Sequence, residues 1–248
     1  MTYAKFVQIV FTMFVFTTMI FDSALAQDVI DDKEKEAINK LIEEYIMDNP
    51  EVILKSIEEM RKRQQREEQE AAKKNLIAFE DEILRNPSDP VGGNEDGDVS
   101  IVEFFDYRCG YCKDFYTALE EVIDEDDNIR IVFKELPVLG PTSELAARAA
   151  IAASRQNLYM PFHIKLMGLK GNLDEKKIFS IATEVGLDLA RLKKDMDLRS
   201  VQGILDDTKD LAQNLSITGT PAIIIGSNII RGAIGKERLK ALIASTRK

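Results

Sequence analysis

The segment VSIVEFFDYRCGYCK, residues 99 to 113, decides the fold of this chain. Its first part, residues 99 to 105, is an apolar and β-prone run, and its end contains the tetrad Cys109-Gly110-Tyr111-Cys112. These two cysteines are the only ones in 248 residues. The pattern predicts a strand that leads into a dithiol at the start of a helix, which we expect over residues 112 to 122.

Three interpretations of the cysteine pair are open from the residues alone. A structural disulfide stabilises chiefly by closing a long loop, and this loop is too short to gain much. A structural zinc ion needs four ligands, and the chain adds only one histidine, His163, to the two cysteines. Reversible thiol–disulfide exchange needs only the pair itself and is the interpretation that we favour.

The expected exchange chemistry gives the two thiols different roles. The thiolate is the nucleophile, and a helix N-terminus favours negative charge, so Cys109 is predicted to attack the client. Cys112 lies one turn further into the helix and is predicted to be more buried. It would resolve the mixed disulfide by attacking Cys109 and releasing the client.

Two further features support a redox site. Glu103 lies inside the apolar strand; if buried beneath the helix start, its carboxyl could relay a proton to the resolving thiol. An exposed place on an alternating strand is the plainer alternative. The dipeptide Thr220-Pro221 precedes a strand candidate, where a cis peptide bond is one reason for a proline and an ordinary trans turn is the other.

The first residues predict an export signal. Lys5 gives the N-terminal residues a weak positive charge, residues 6 to 21 are mostly apolar, and Ala24-Leu25-Ala26 is a small-x-small cleavage site before Gln27. The apolar run is shorter than the roughly 20 residues of a membrane span, which favours removal over an uncleaved anchor. Export places the thiols in an oxidising compartment, and the bacterial character of the signal indicates the periplasm.

Composition restricts the partners. Hydrophobic residues make up 45% of the chain, which is ordinary for a globular protein. The formal net charge is −10, and this disfavours nucleic acid and anionic membrane surfaces as partners.

The region after the signal predicts helices with unpartnered apolar positions. Residues 28 to 48 carry an i, i+3, i+4 apolar stripe, and a second helix is expected to begin with Asn49 as its N-cap and Pro50 as its first residue. Residues 61 to 70, RKRQQREEQE, predict a charged connector before an entry helix over residues 71 to 84. The stripe could pack on the main domain or mediate self-association through residues 34 to 60.

The order of elements beyond residue 85 predicts an α/β fold. Strands are expected over residues 99 to 105 and 129 to 134, and a long helical stretch over about 143 to 215. A hairpin over residues 222 to 231 and a last helix over 236 to 245 complete the chain. This is the plan of a thioredoxin-like sheet with a helical insertion.

Soft ligands on one predicted helix face raise a third functional class. Met160, His163 and Met167 fall at i, i+3 and i+7, which suits Cu(I) binding. Packing of these side chains in a helical core is the stronger interpretation.

Three motifs together resemble the DsbA-like thiol–disulfide oxidoreductases. FFDYRCGYCK, residues 104 to 113, resembles the active-site segment of that family. ELPVLG, residues 135 to 140, followed by AARAA at 146 to 150, resembles the segment that opens the helical insertion. TGTPA, residues 218 to 222, resembles the cis-proline loop, and the likeness extends over about residues 85 to 248.

The resemblance implies a thioredoxin fold with an inserted helical domain over about residues 141 to 215. It assigns Cys109 as nucleophile, Cys112 as resolving thiol and Glu103 as buried acid. It places the Thr220-Pro221 loop opposite the disulfide, where it would bind the extended client backbone. Tyr111, between the two cysteines, is also expected to contact the client. The redox-active disulfide Cys109-Cys112 would serve in place of a cofactor, and no metal is implied.

Two departures bear on the reaction. Strong oxidases of the family have Pro-His between the cysteines and Val before the cis-proline, whereas this chain has Gly-Tyr and Thr, as in DsbC-type disulfide isomerases. We therefore expect a weaker oxidant: an isomerase or reductase acting on client proteins with cysteines and kept reduced by a membrane partner. A monomeric dithiol oxidase is the alternative.

The N-terminal extension is similar to that of ScsC-type members, the "suppressor of copper sensitivity" proteins. In that group the extension can trimerise the protein, so a trimer through residues 34 to 60 is the favoured oligomer. The expected organisation is a signal peptide over residues 1–26, a helical extension over 27–84 and a DsbA-like domain over 85–248.

Overall fold

The computed structural model describes residues 31–247, and the signal peptide predicted for residues 1–26 lies outside this range. The helices, in chain order, are α1 Asp32–Asp48, α2 Glu51–Ala78, α3 Glu80–Leu84, α4 Gly110–Ile123, α5 Pro141–Ser154, α6 Tyr159–Met167, α7 Glu175–Glu184, α8 Leu189–Met196, α9 Arg199–Asn214 and α10 Lys236–Thr246. The strands are β1 Val91–Gly93, β2 Val99–Phe105, β3 Ile129–Glu135, β4 Ala222–Ile225 and β5 Asn228–Arg231.

The strands form one sheet in the order β1-β3-β2-β4-β5. β2 and β3 are parallel and are joined through α4, whereas the other neighbours pair antiparallel. β2 lies at the centre and is covered on both faces, which explains why its sequence is an almost unbroken apolar run. The thioredoxin-like fold predicted from the order of elements is confirmed.

The two faces of the sheet contact different clusters of buried side chains. On β2, the side chains of Val99, Ile101 and Phe105 join the larger cluster, which also contains Cys112 and other residues of α4. Val102 and Phe104 point to the opposite face and join a smaller cluster with Leu76 and Leu215. Because side chains alternate along a strand, the odd-numbered residues of β2 face α4 and the even-numbered ones face the opposite side.

The helical stretch between β3 and β4 consists of α5 to α9. Asp174 and Asp188 cap α7 and α8, since their carboxylates accept hydrogen bonds from the first free backbone amides of each helix. The alanine-rich helix α5 packs into the larger cluster through Ala146, Ala149 and Ala150. Small side chains allow α5 to pack closely here. The helical insertion and the helix that carries the dithiol therefore share one hydrophobic core.

The chain divides into two compact units, of which the described residues 31–65 form the first and residues 66–247 the second. In the first unit, Asp31 and Glu34 form a capping box at the start of α1. No residue of α1 is buried. Large apolar side chains along this unit are exposed: Ile38, Leu41, Ile42, Tyr45, Met47, Ile53, Leu54, Ile57 and Met60.

Two local predictions for this region were wrong. Residues 61 to 70 are not a connector between helices but lie inside α2, Glu51–Ala78. Arg, Lys, Gln and Glu are good helix formers, and pairs such as Lys62–Glu58 at 2.9 Å add local support, so the helix continues without burying a face. Asn49 does not start α2 but ends α1, where its side-chain amide donates to the Tyr45 carbonyl.

The short strand β1 was not predicted, because residues 91 to 93 lie in a stretch that is typical of turns. It pairs antiparallel with β3 at the edge of the sheet. Gly93 has a φ of +67°, and a Cβ there would approach the Ile129 carbonyl oxygen to 2.4 Å, so only glycine fits. Among the described residues, no helix is long and apolar enough to cross a membrane.

Candidate active site

The two cysteines lie at the N-terminus of α4, as predicted. Cys109 is the N-cap residue, and its amide donates to the Asp106 carbonyl at 3.0 Å. Cys112 lies in the first turn of the helix. Both thiols are free, and Cys109 is 7% exposed whereas Cys112 is 0% exposed. Cys109 therefore retains a small exposed fraction, whereas Cys112 is fully enclosed.

The loop before β4 faces Cys109. The Thr220-Pro221 peptide bond is cis, and the Cys109 thiol donates to the Thr220 carbonyl oxygen at 3.3 Å. Pro221 is buried, Thr220 is half-buried and Tyr111 is 70% exposed. The structure thus brings Thr220 and Pro221 to the nucleophile across 111 residues of chain, and Tyr111 lies on the surface beside it.

Glu103 is completely buried, so the alternative of an exposed strand residue is wrong. Its register partners, Phe133 of β3 and Ile223 of β4, both belong to the cluster that includes α4. Neither carboxyl oxygen has a hydrogen-bond partner among the described residues. Burial raises the pKa of Glu103 from its ordinary 4.5 to about 8, which places its titration near neutral pH.

The environment of Cys112 disfavours its thiolate. Burial raises the pKa of the Cys112 thiol well above its ordinary value, and the negative charge of Glu103 raises it further. A hydrogen bond from the backbone at Asp106 opposes this shift but does not cancel it. A thiol in this position needs a nearby base before it can attack.

Asp106 is a site residue whose structural role was not predicted. Its carboxylate accepts hydrogen bonds from the amides of Arg108, Val138 and Leu139 at 2.7, 2.9 and 2.9 Å. It therefore ties the turn before Cys109 to the segment after β3. An acidic residue directly after a buried strand, followed by a turn, is the signal that could have identified it.

A network of buried polar side chains is connected to the active-site turn through Tyr107. Tyr107 and Tyr159 both donate to Oε1 of Glu135 at 2.9 Å, and the Tyr107 hydroxyl is also 2.9 Å from Nδ1 of His163. Burial raises the pKa of Glu135 well above its ordinary value. Burial also lowers the pKa of His163 to about 3 and keeps the ring neutral. These four residues connect the active-site turn, β3 and α6, and sequence reasoning did not join them.

The three side chains that were considered as alternative copper ligands are packed in α6, as the stronger interpretation predicted. His163 is completely buried among aromatic rings and stacks on Tyr159 with centroids 5.5 Å apart. Met167 is 2% exposed, and Met160 packs against the core. His163 Nδ1 is occupied by Tyr107, which leaves this face poorly suited to a metal. Within residues 31–247, no cluster of three or more His, Cys, Asp or Glu residues could hold one.

Two family models match the chain. The model of the DSBA-like thioredoxin domain matches residues 100–244, and the model of the copper resistance protein ScsC N-terminal domain matches residues 34–67. The first match contains both cysteines, Glu103, Thr220 and Pro221.

Solved structures of similar proteins share the fold of the second unit. A thioredoxin-like oxidoreductase from Silicibacter pomeroyi is 39% identical, with a TM-score of 0.66 over 67% of this chain and 96% of its own. The catalytic domain of Proteus mirabilis ScsC is 26% identical, with a TM-score of 0.64 over 70% of this chain and 97% of its own.

A curated relative, a Na(+)/H(+) antiporter NhaA 1 from Salinispora arenicola, is 31% identical over 169 residues, or 65% of this chain. The match spans 26% of that much longer protein. Because the DSBA-like model covers more than half of the chain and includes the complete dithiol site, the chain belongs to the DsbA-like family of thiol–disulfide oxidoreductases, with an N-terminal segment of the ScsC type.

Proposed function

We propose that this protein is an exported, oligomeric disulfide isomerase or reductase that acts on other proteins. The observation that carries the proposal is the inequality of the two thiols. Cys109 lies at a helix N-terminus with residual exposure, and Cys112 is enclosed one turn away. Such a pair can capture a client and then release it.

The reaction begins when the Cys109 thiolate attacks one sulfur of a client disulfide. The client S–S bond breaks, a mixed disulfide with Cys109 forms, and the other client sulfur leaves as a thiolate. In isomerisation, that thiolate attacks another client disulfide, and a client thiolate later displaces Cys109. In reduction, Cys112 attacks Cys109, so the client leaves with two thiols and the enzyme holds the Cys109-Cys112 disulfide.

Glu103 is proposed to accept the proton of Cys112 during resolution. Its carboxyl is buried on the face of β2 that contacts α4, and its charge acts on the Cys112 thiol. With a pKa of about 8, Glu103 is mostly protonated at pH 7, and about a tenth of the molecules have the carboxylate available as a base. A carboxylate at its ordinary pKa would be a much weaker base.

Tyr111, Thr220 and Pro221 are proposed to contact the client. The Thr220 carbonyl already lies 3.3 Å from the Cys109 sulfur, so a client cysteine bonded to that sulfur would lie against this loop. Tyr111 exposes most of its ring beside the nucleophile and offers an apolar contact.

Self-association is proposed through residues 34 to 60, as a trimer. Leu41, Tyr45 and Met47 are 64%, 58% and 76% exposed on a helix that buries none of its residues. An amphipathic helix of this kind gains stability by packing its apolar stripe on a partner. The match of residues 34–67 to the ScsC N-terminal domain and the family resemblance support a trimer. Several dithiols in one assembly would raise the local concentration of thiolate around a client.

We also propose that the protein acts in the periplasm and has a redox partner in the membrane. The predicted signal peptide supports export to the periplasm, where a membrane redox partner would keep the dithiol reduced. The family resemblance supports this partner.

A trapping experiment tests the chemistry. In Cys112→Ser, capture by Cys109 proceeds but resolution cannot, so mixed disulfides with client proteins should accumulate and be seen on non-reducing gels. Cys109→Ser is the matched control and should trap nothing. Absence of mixed disulfides in Cys112→Ser would contradict the assigned roles.

A monomeric dithiol oxidase is the second candidate, because residues 66–247 contain the whole dithiol site in one compact unit. In that case a quinone-linked membrane protein would reoxidise the pair. Measurement of the reduction potential separates the two, since a strong oxidase has a potential of about −120 mV and an isomerase has a more reducing one.

A further inference from the structure

A cleft lies beside the dithiol, on the side that α4 shares with the segment after α6. Its volume is about 510 Å³, which falls in the range of roughly 300–1,000 Å³ that is usual for ligand pockets. Arg108 and Gly110, the two chain neighbours of Cys109, line it, together with Lys113 and Lys170. The cleft is therefore lined by the residues on either side of the nucleophile in the chain, and it extends along α4 to the segment after α6.

The cleft is positively charged in a protein of net charge −10. Three of its lining residues, Arg108, Lys113 and Lys170, are cations, and Asp114 is the one carboxylate among its lining residues. By contrast, Lys236 and Lys240 on α10 both form ion pairs with Glu125.

The cations of the cleft have no carboxylate partner among the described residues. Arg108 donates to the Leu139 carbonyl, and Lys113 donates to the Leu169 carbonyl, each at 2.5 Å. Main-chain carbonyls hold these side chains in place without neutralising them. Lys170 is exposed at the rim and has no hydrogen bond or ion pair within residues 31–247.

Lys113 is the cation for which the missing counterion matters most. It is half-buried, and burial together with the positive charge of nearby Lys177 lowers its pKa. An ammonium group still has free N–H donors after one hydrogen bond to a carbonyl. An anion in the cleft would accept those donors and offset the desolvation.

We propose that this cleft binds acidic side chains of the client that lie near the cysteine attacked by Cys109. The inference rests on the proposed function and adds a substrate class to it: clients with Asp or Glu close to the reactive cysteine. The cis-proline loop lies against the Cys109 sulfur, and the cleft begins at the neighbours of Cys109 in the chain. A client held by its sulfur could therefore lie on the loop with one part and place a flanking carboxylate in the cleft with another.

Two synthetic peptides test the proposal. Each contains one cysteine blocked as a mixed disulfide with neutral 2-mercaptoethanol, flanked on both sides by Glu in one peptide and by Gln in the other. In the measured step, the Cys109 thiolate attacks the peptide sulfur and 2-mercaptoethanol leaves as a thiolate that takes a proton from water. Cys112 then releases the peptide thiol, so the dithiol supplies both electrons.

With the reduced full-length protein at low salt, the Glu peptide should react about fivefold faster than the Gln peptide. Lys170→Gln should lower this ratio to about twofold, because it removes one cleft charge from the rim. Lys170→Glu should lower it further. Near 1 M salt, where the Debye length is about 3 Å, the ratio should approach one.

Lys209→Gln is the matched control. Lys209 is exposed on α9 outside the cleft, so the variant removes the same charge and should keep the fivefold ratio. Equal rates for the two peptides with the wild-type protein would overturn the inference, and so would an equal fall of the ratio in Lys170→Gln and Lys209→Gln. If neither peptide were reduced at all, the proposed function itself would fail, and that outcome is distinct from a lost preference.

Discussion

The first unit of the chain exposes apolar side chains, whereas the second unit buries polar ones. In residues 31–65, Leu41, Leu54 and Met60 are each more than half exposed. In residues 66–247, Glu103, Glu135 and His163 are almost completely or completely buried. Each pattern costs free energy by itself. Apolar side chains are less stable in water than in an apolar environment, and buried ionisable groups lose their hydration.

The difference indicates that the two units are suited to different functions. Exposed apolar stripes are stabilised when another surface covers them, so the first unit is suited to association. Buried ionisable groups have shifted pKa values, so the second unit is suited to proton and electron transfer. Binding at the cationic cleft would add a third property beside the dithiol, a preference for clients with acidic side chains.

The largest expected effect comes from replacing the buried, titratable carboxyl of Glu103 in the second unit. Between pH 4.5 and about 8 the folded protein keeps a proton on Glu103 that the unfolded chain has released, so stability falls as pH rises through this window. Glu103→Gln should therefore raise the free energy of unfolding by about 3 kcal/mol at pH 7 and by less than about 1 kcal/mol at pH 5.

Urea denaturation of the reduced protein at both pH values measures this effect. Glu95→Gln, at an exposed loop residue, is the control and should change little at either pH. Equal stabilisation of Glu103→Gln at pH 5 and pH 7 would show that shape rather than charge is responsible.

The next effect concerns the exposed apolar stripe of the first unit. Leu41→Gln with Tyr45→Gln keeps helix-forming residues but removes two large apolar side chains from α1. We expect the assembly to dissociate and isomerase activity on a scrambled protein to fall roughly 100-fold, while reduction of a small disulfide stays near wild type.

Light scattering reports the mass, and the two substrates separate assembly from chemistry. The control, Lys40→Gln with Glu44→Gln, alters the neighbouring pair at the same spacing and removes only a weak exposed ion pair at 4.0 Å. If the mass of the Leu41→Gln, Tyr45→Gln variant equalled that of the wild type, self-association through this stripe would be contradicted.

A smaller effect is expected from the single histidine. The pKa of His163 is about 3 in the folded protein and 6.5 ordinarily, so its contribution is complete above pH 6.5 and is lost as pH falls towards 3. The difference in unfolding free energy between wild type and His163→Gln should narrow by about 2 kcal/mol from pH 7.5 to 5. Titration of unfolding in both proteins measures it, and a constant difference would show that the ring is not held neutral.

The smallest effect tests the hydrogen bonds of Glu135. Tyr159→Phe removes one donor to Glu135 Oε1 and should lower the free energy of unfolding by about 1 kcal/mol. Tyr111→Phe removes a hydroxyl from an exposed ring and should leave stability within about 0.5 kcal/mol of wild type. Similar losses in the two variants would indicate that Glu135 gains nothing from Tyr159.

Much of the fold could be predicted from periodicity and turn residues. The strand predicted over residues 99 to 105 has the bounds of β2, and the hairpin predicted over residues 222 to 231 has the outer bounds of β4 and β5. The predictions failed where propensity and burial disagree. Residues 61 to 70 bury nothing yet form helix, because charged side chains with good helix propensity need no core.

The candidate site was only partly predictable for a related reason. Two cysteines three positions apart are close in any fold, so the dithiol could be recognised from the chain alone. The contacts of Asp106 with Val138 and of Tyr107 with Glu135 and His163 join distant elements, and no local pattern encodes them.

The sequence by itself determined the thiol pair, the central strand and the apolar stripe of the first unit, because each depends on residues near one another in the chain. Only the tertiary structure decided that Asp106 binds the segment after β3, that Glu103 lies on the face of β2 that contacts α4, and that unpaired cations line a cleft beside Cys109. The physical reason is that burial and electrostatic environment are set by neighbours in space, which packing brings together from distant parts of the chain, as it does for Cys109 and Thr220 across 111 residues.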